Sequence, residues 1–261
     1  MRLTLAPLTN FDLGAVAAAA IAFVAYRARV LTSGGALWAF AIGTLTFGAL
    51  GWSGAAILLT FFLTSVALSR LGRARKRALL AGVEKGGVRD GAQVFANGGV
   101  AAICAALTFH DPRYAIAFAG AFAAAAADTW GTELGALYGG TPRSIVTGRR
   151  VDTGLSGGVT WLGTAAEVGG AAVVAAVAFT FGLPFVAVLA GGVAGAFVDS
   201  LLGATVQAKR WCAQCGRACE SDPHVCGAST ELLRGAGWFG NDAVNLAATM
   251  VGAAVAFALA R

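Results

Sequence analysis

The chain has 261 residues, 57% of them hydrophobic and only 12% charged, with a formal charge of +6 and a mean hydropathy of +0.73. That balance excludes an ordinary soluble domain and points to an all-α polytopic membrane protein. The 37 glycines and many alanines suit close helix packing in lipid, a bias that a GC-rich coding sequence would also produce.

Eight apolar spans are expected, at 11–26, 34–51, 53–69, 94–109, 114–139, 158–181, 184–208 and 239–260. No basic start with a small-residue cleavage site precedes the first, which is read as a retained helix. The fourth is near the lower length limit for a span and is expected to be short or broken. The whole chain, 1–261, reads as a single membrane domain with a basic loop at about 70–93 and a Cys-rich loop at about 209–238.

Basic residues alternate between the connections. Arg27 and Arg29, then Arg70, Arg73, Arg75, Lys76, Arg77, Lys85 and Arg89, share one side with Arg143, Arg149, Arg150, Lys209, Arg210, Arg217 and Arg234. These are sixteen of the nineteen, and the other side keeps Arg2, Arg113 and Arg261. The positive-inside rule therefore places the long loops in the cytoplasm of a multi-pass cell-membrane protein, with both termini outside. The run from Arg70 to Arg77 is read as a topology anchor, an interfacial helix on anionic headgroups, in preference to a nucleic-acid contact.

A weak repeat runs through the chain. Ser33-Gly34-Gly35, Asn97-Gly98-Gly99 and Ser156-Gly157-Gly158 each open a span, and Gly120 and Gly191 each lie eight residues before an aspartate. Repeated helical hairpins would produce this echo.

Those aspartates are the main chemical signal. Asp128 and Glu133 lie in the fifth span, Glu167 in the sixth and Asp199 in the seventh. Each ionisable group costs about 2.5–3.5 kcal/mol at a bilayer centre and is rarely kept there without a role. Asp128 shares a helix face with Ala124, Thr132 and Gly135, and Asp199 with Gly195, Ala196 and Gly203, so both face protein. Asp128 and Glu133 are about 140° apart on an ideal helix; Gly131 and Gly135 are expected to loosen the turn and let them converge. Clustered carboxylates need a compensating cation, and Mg²⁺ sharing its shell with phosphates suits them. Protonated acids bridging helices, or an ion pathway, are the alternatives.

Phosphate groups have candidate partners in the loops. Arg143, Arg149 and Arg150 carry forked donors. Ser156 and Thr160 flank glycines at a helix N-terminus, where backbone N–H groups and the dipole favour anions. Gln93, Asn97, Gln207, Asn241 and Asn245 bring amides to the mouths of their helices. The Lys and the spacing of a Walker loop are absent.

The loop 209–238 carries Cys212, Cys215, Cys219, His224 and Cys226. In a reducing compartment disulfides are disfavoured. Cys212, Cys215, His224 and Cys226 make four plausible tetrahedral ligands for a structural Zn²⁺, with Cys219 as a spare; free thiols or a redox role are the alternatives. Cys104, alone in a span, reads as a small core residue.

Taken in order, Gln93-x-x-x-Asn97-Gly98-Gly99, Ala127-Asp128-Thr129-Trp130-x-x-Glu133-Leu134-Gly135, Pro142-Arg143 and Gly154-x-Ser156-Gly157-Gly158-Val159-Thr160 form a specific set. Asp199-Ser200-Leu201-Leu202-Gly203-Ala204-Thr205-x-Gln207 and Asn241-Asp242-x-Val244-Asn245 complete it. The set resembles the integral membrane family that contains plant phytyl-phosphate kinase and animal transmembrane protein 19, from about Gln93 to the C-terminus. The Cys-rich loop is not shared by every member. The resemblance implies phosphoryl transfer from a nucleoside triphosphate, CTP in the plant enzyme, to an isoprenyl monophosphate such as phytyl or geranylgeranyl phosphate. On that reading Asp128, Glu133 and Asp199 hold Mg²⁺, the three loop arginines hold the nucleotide, and Gln93, Asn97, Ser156, Thr160, Glu167, Gln207, Asn241 and Asn245 contact substrate. A CTP-dependent cytidylyltransferase on a lipid phosphate, or a transporter of isoprenoid phosphates or cations, would use similar residues.

Overall fold

The structure, a computed structural model, describes residues 9–79 and 87–260. Arg2, Lys85 and Arg261 lie outside the described residues. The helices are α1 (Asn10–Arg27), α2 (Ser33–Arg70), α3 (Arg73–Leu79), α4 (Gly91–Leu107), α5 (Tyr114–Tyr138), α6 (Trp161–Thr180), α7 (Phe185–Thr205) and α8 (Asn241–Ala258). Six of the expected spans each fall on one helix to within three residues at either end, and the second and third together make up α2. Five of them, α1, α2, α6, α7 and α8, are long and apolar enough to cross a membrane; α4 is apolar but only 17 residues long.

Local chemistry sets the starts. Thr9 and Asp12 cap α1 reciprocally, Asp90 and Gln93 do the same for α4, and the Thr32 and Thr160 hydroxyls accept from the third residue of α2 and α6. The spans 34–51 and 53–69 merge in α2, broken only at Gly51 (φ 56°, ψ −136°). Here the left-handed glycine reverses the chain. A straight 38-residue helix would be about 57 Å long, yet Val30, just before α2, and Arg70, at its end, line one cavity. The two halves are therefore a hairpin.

The bundle has a dry end and a polar end. At the dry end α5 and α7 press against α8. A Cβ on Gly120 or on Gly191 would come within 2.5 Å of the Gly252 carbonyl, so three glycines bring three backbones into contact. Gly120 and Gly191 are the repeated glycines of the two hairpins α4–α5 and α6–α7. Phe118 and Phe122, fully buried, stack edge-on beside them. Eight residues further along α5 and α7, about 12 Å nearer the polar end, stand Asp128 and Asp199.

The loops carry small sheets that periodicity did not predict. Strands β1 (Arg143–Ser144) and β2 (Gly158–Val159) pair antiparallel. Strands β3 (Lys209–Cys212), β4 (Arg217–Cys219) and β5 (Glu231–Arg234) form an antiparallel sheet in the order β4-β3-β5. The basic run begins, as expected, a short helix, α3. Helix α4 is short, one of the two expected forms, and unbroken; α5 runs unbroken through Gly131 and Gly135, which corrects the expectation of a loosened acidic turn.

Candidate active site

At the polar end lies a cavity of about 1280 Å³. Helices α5 and α7 end there with their acids, while α4, α6 and α8 begin there. Three positive helix ends thus converge where negative groups collect. Asp128, Glu133, Glu167 and Asp199 all line it, with Gln93, Asn97, Ser156, Thr160, Asn241 and Asn245. The structure brings these ten sequence-selected residues to one place.

Asp128, Glu167 and Asp199 form the inner group. The Thr132 hydroxyl donates to Asp128 at 3.5 Å. Glu167 crosses from α6 onto Gly131, where a Cβ would sit 2.8 Å from its Oε1. Asp199 interacts electrostatically with Asp128, Glu167 and Glu220. Its Oδ2 is buried without a hydrogen-bond partner among the described residues. A buried, unpaired carboxylate oxygen amid other acids is costly unless a cation meets it. The hard oxygen donor set fits Mg²⁺.

Glu133 is engaged by side chains of α2 and α3. Because α5 stays helical, Glu133 points away from Asp128 and ion-pairs with Lys76 of α3, which also donates to the Leu68 and Ser69 carbonyls. The Ser69 hydroxyl donates to it at 2.6 Å. Glu133 thereby fastens the basic helix to the wall of the cavity.

Two further groups lie outside the cavity lining. Arg143, Arg149 and Arg150 are exposed around the β1 turn, and Arg143 donates to the Gly148 carbonyl at 2.9 Å. Among the described residues, the cations that do line the cavity are Arg29, Arg70, Arg73, Lys76 and Arg89. Gln207 is buried behind the wall and donates to Glu220 at 2.8 Å.

Glu220 was missed in the sequence. It follows β4 and reaches back to accept from the Ser156 N–H at 2.6 Å and the Ser156 hydroxyl at 2.9 Å. Burial raises its pKa, the Ser156 hydrogen bonds opposing. The neighbouring Gly157 has φ +77°, and a Cβ there would lie 2.4 Å from the Ala204 nitrogen, so no side chain fits. The Cys-rich loop therefore holds the Ser156–Gly157 turn against the end of α7. The position of Glu220 next to Cys219 was the sequence signal for it.

In that loop Cys212, Cys215, His224 and Cys226 offer ligand atoms all within 4.8 Å of one another. This cluster can hold a metal ion. The His224 Nδ1 sits 3.1 Å from the Cys226 sulfur and lowers the thiol pKa to about 6. Cys219 stands apart, directed at the Ser221 carbonyl.

The chain is 33% identical over 224 residues to Protein PGR of Arabidopsis thaliana, covering 74% of this chain and 77% of that one. It is 31% identical over 193 residues to an uncharacterised membrane protein of Methanocaldococcus jannaschii (72% and 80%). It is 24% identical over 233 residues to the chloroplastic Protein VTE6 of Arabidopsis thaliana (87% and 64%). No solved structure matches. The integral membrane protein DUF92 family matches residues 16–253, and with the motif set and the helical bundle this shows that the chain belongs to that family.

Proposed function

We propose that the protein is a Mg²⁺-dependent phosphotransferase that moves the terminal phosphoryl group of a nucleoside triphosphate, CTP by family resemblance, onto an isoprenyl monophosphate to give the diphosphate. The observation that carries this reading is the meeting of Asp128, Glu167 and Asp199 in one cavity, with Asp199 Oδ2 buried and unpaired. Asp128 and Asp199 would hold the ion with Glu167 as third acid, since Glu133 is taken up by Lys76. Bound there, Mg²⁺ neutralises charge on the phosphates and aligns them.

The chain's own residues supply the rest. Arg29, Arg70 and Arg73 line the mouth and hold nucleotide phosphates, with the exposed Arg143, Arg149 and Arg150 on the adjoining loop. The starts of α6 and α8 direct positive dipole ends inward. Asn97, Asn241 and Asn245 contact substrate oxygens, and Glu220 keeps the Ser156 turn in place. A phosphate nucleophile is largely ionised at neutral pH, so positioning outweighs proton transfer and no strong general base is needed. The cavity opens at the end where the basic connections gather, which under the positive-inside rule is cytoplasmic.

The test is incubation of purified protein with CTP, Mg²⁺ and geranylgeranyl monophosphate, with products identified by mass spectrometry. Geranylgeranyl diphosphate and CDP are expected. A CDP-lipid with pyrophosphate would instead make the protein a cytidylyltransferase, and no turnover with any nucleotide would end the reading. For the orientation, Val146→Cys in intact cells should react with an impermeant thiol reagent no more than the unsubstituted protein does. Labelling from outside would invert the topology.

A further inference from the structure

Beside the acidic cavity is a second hollow of about 120 Å³, an apolar groove walled by Ile21, Ile42, Leu58, Phe61, Phe62 and Phe122. Four residues line both: Arg89, Gln93, Asn97 and Thr129. An apolar groove thus runs directly into an ion-binding cavity, and a cation stands at the junction.

Arg89 is fixed there by its backbone. Its N–H donates to the Val30 carbonyl and its own carbonyl accepts from the Thr32 N–H, both at 3.0 Å. Its guanidinium makes no hydrogen bond or ion pair with any described residue. Burial lowers its pKa, with Glu133 opposing from longer range. A half-buried guanidinium with no partner among the described residues favours an anion that meets it, and its planar fork matches phosphate oxygens.

We propose that Arg89 anchors the phosphate of the lipid substrate, with the first isoprene unit of its chain seated in the apolar groove. A dry apolar cavity of about 150 Å³ admits benzene, so this groove takes a five-carbon unit and not a whole chain. The remaining chain lies in lipid beyond α1, which packs chiefly against α2 and leaves Ile21 exposed. Substrate then enters sideways from the bilayer, and chain length beyond the first units is not read. The assignment rests on the phosphotransferase reading for the identity of the head group, not for the shape of the groove.

The experiment uses the full chain in phosphatidylcholine nanodiscs and a geranyl monophosphate carrying a photoreactive diazirine on its first isoprene unit. Illumination without nucleotide should label peptides within 18–62, 89–98 or 122–129. Excess geranylgeranyl monophosphate should abolish the labelling, and phosphatidic acid should not. Arg89→Gln should lose it at least about tenfold, Arg89→Lys should retain part, and a phenylalanine in place of Ala39, which also lines the groove, should block it (Ala39→Phe); gel filtration checks that each folds. Labelling elsewhere, undiminished labelling in Arg89→Gln, or equal competition by phosphatidic acid would overturn the proposal. Because no turnover is required, a labelled groove in a protein that transfers no phosphoryl group refutes only the proposed activity. Normal turnover with labelling elsewhere refutes only the groove.

Discussion

Two regions of this molecule gather side chains of metal-ligand type, and they are built on opposite plans. The carboxylates of α5, α6 and α7 sit on long helices locked together by glycine contacts, and they border a large cavity open to ligands. The thiols and imidazole of the Cys-rich loop come from 15 consecutive residues and close on themselves. An open set of hard oxygen donors suits an ion that shares its coordination with substrate, whereas a closed set of four soft donors suits a structural one. The difference shows how roles divide: helices bring distant acids together, and a local staple shapes the loop that completes their cavity. Glu220 is the link, three hydrogen bonds from the loop to Ser156 and Gln207.

The sharpest way to break this contrast is at the helices. Asp128→Asn and Asp199→Asn should each lower turnover on the order of a thousandfold or more while the protein remains folded in detergent. The effect should fall on kcat, because the charge that the carboxylates and their ion offset is greatest as the phosphoryl group transfers. A mere rise in KM for the prenyl substrate would remove both residues from the ion site.

Next comes the staple. Metal analysis should find about one zinc per chain, and Cys215→Ser should lose it with a fall in turnover of roughly 10–100-fold. Zinc-free protein of unchanged stability and activity would make the loop a set of free thiols.

Glu220→Gln probes the link alone. It should keep zinc and lose roughly tenfold in turnover. The pH dependence has a defined sign. Burial raises the Glu220 pKa above its ordinary value of 4.5, so its contribution to stability is full below about that pH and is lost as pH rises through the folded value. The Tm of the unsubstituted protein relative to Glu220→Gln should therefore decline as pH rises from 4.5. A rise would show that the hydrogen bonds from Ser156 outweigh burial.

The smallest effect concerns two sets of arginines. Arg70→Ala with Arg73→Ala should raise the KM for nucleotide about tenfold. Arg143→Ala, Arg149→Ala and Arg150→Ala together should raise it only about twofold, and less at high salt, because these side chains are exposed outside the cavity lining. The reverse ranking would return the nucleotide to the β1 loop.

Much was legible in the chain. Runs of apolar residues marked every span, since lipid requires helices of a set length. Alternating basic residues ordered the connections, and acids within apolar sequence stood out through their desolvation cost. The four metal-capable residues of the Cys-rich loop were readable because local spacing brings ligands from one short segment together.

Tertiary structure decided what spacing along one helix could not. Asp128 and Glu133 are neighbours in sequence but face apart on an unbroken helix, so Glu133 meets Lys76, 57 residues away, while Asp128 meets groups from α6 and α7. The break at Gly51 falls where the second and third expected spans meet, but only the folded hairpin shows that both ends of α2 reach the cavity. Arginines read as a lipid anchor became part of its wall, and Glu220 entered from a loop with no motif of its own. Sequence periodicity reports which face of an element is apolar, but partners across the bundle are chosen by backbone contacts between glycines and by which buried charges can find a counterpart.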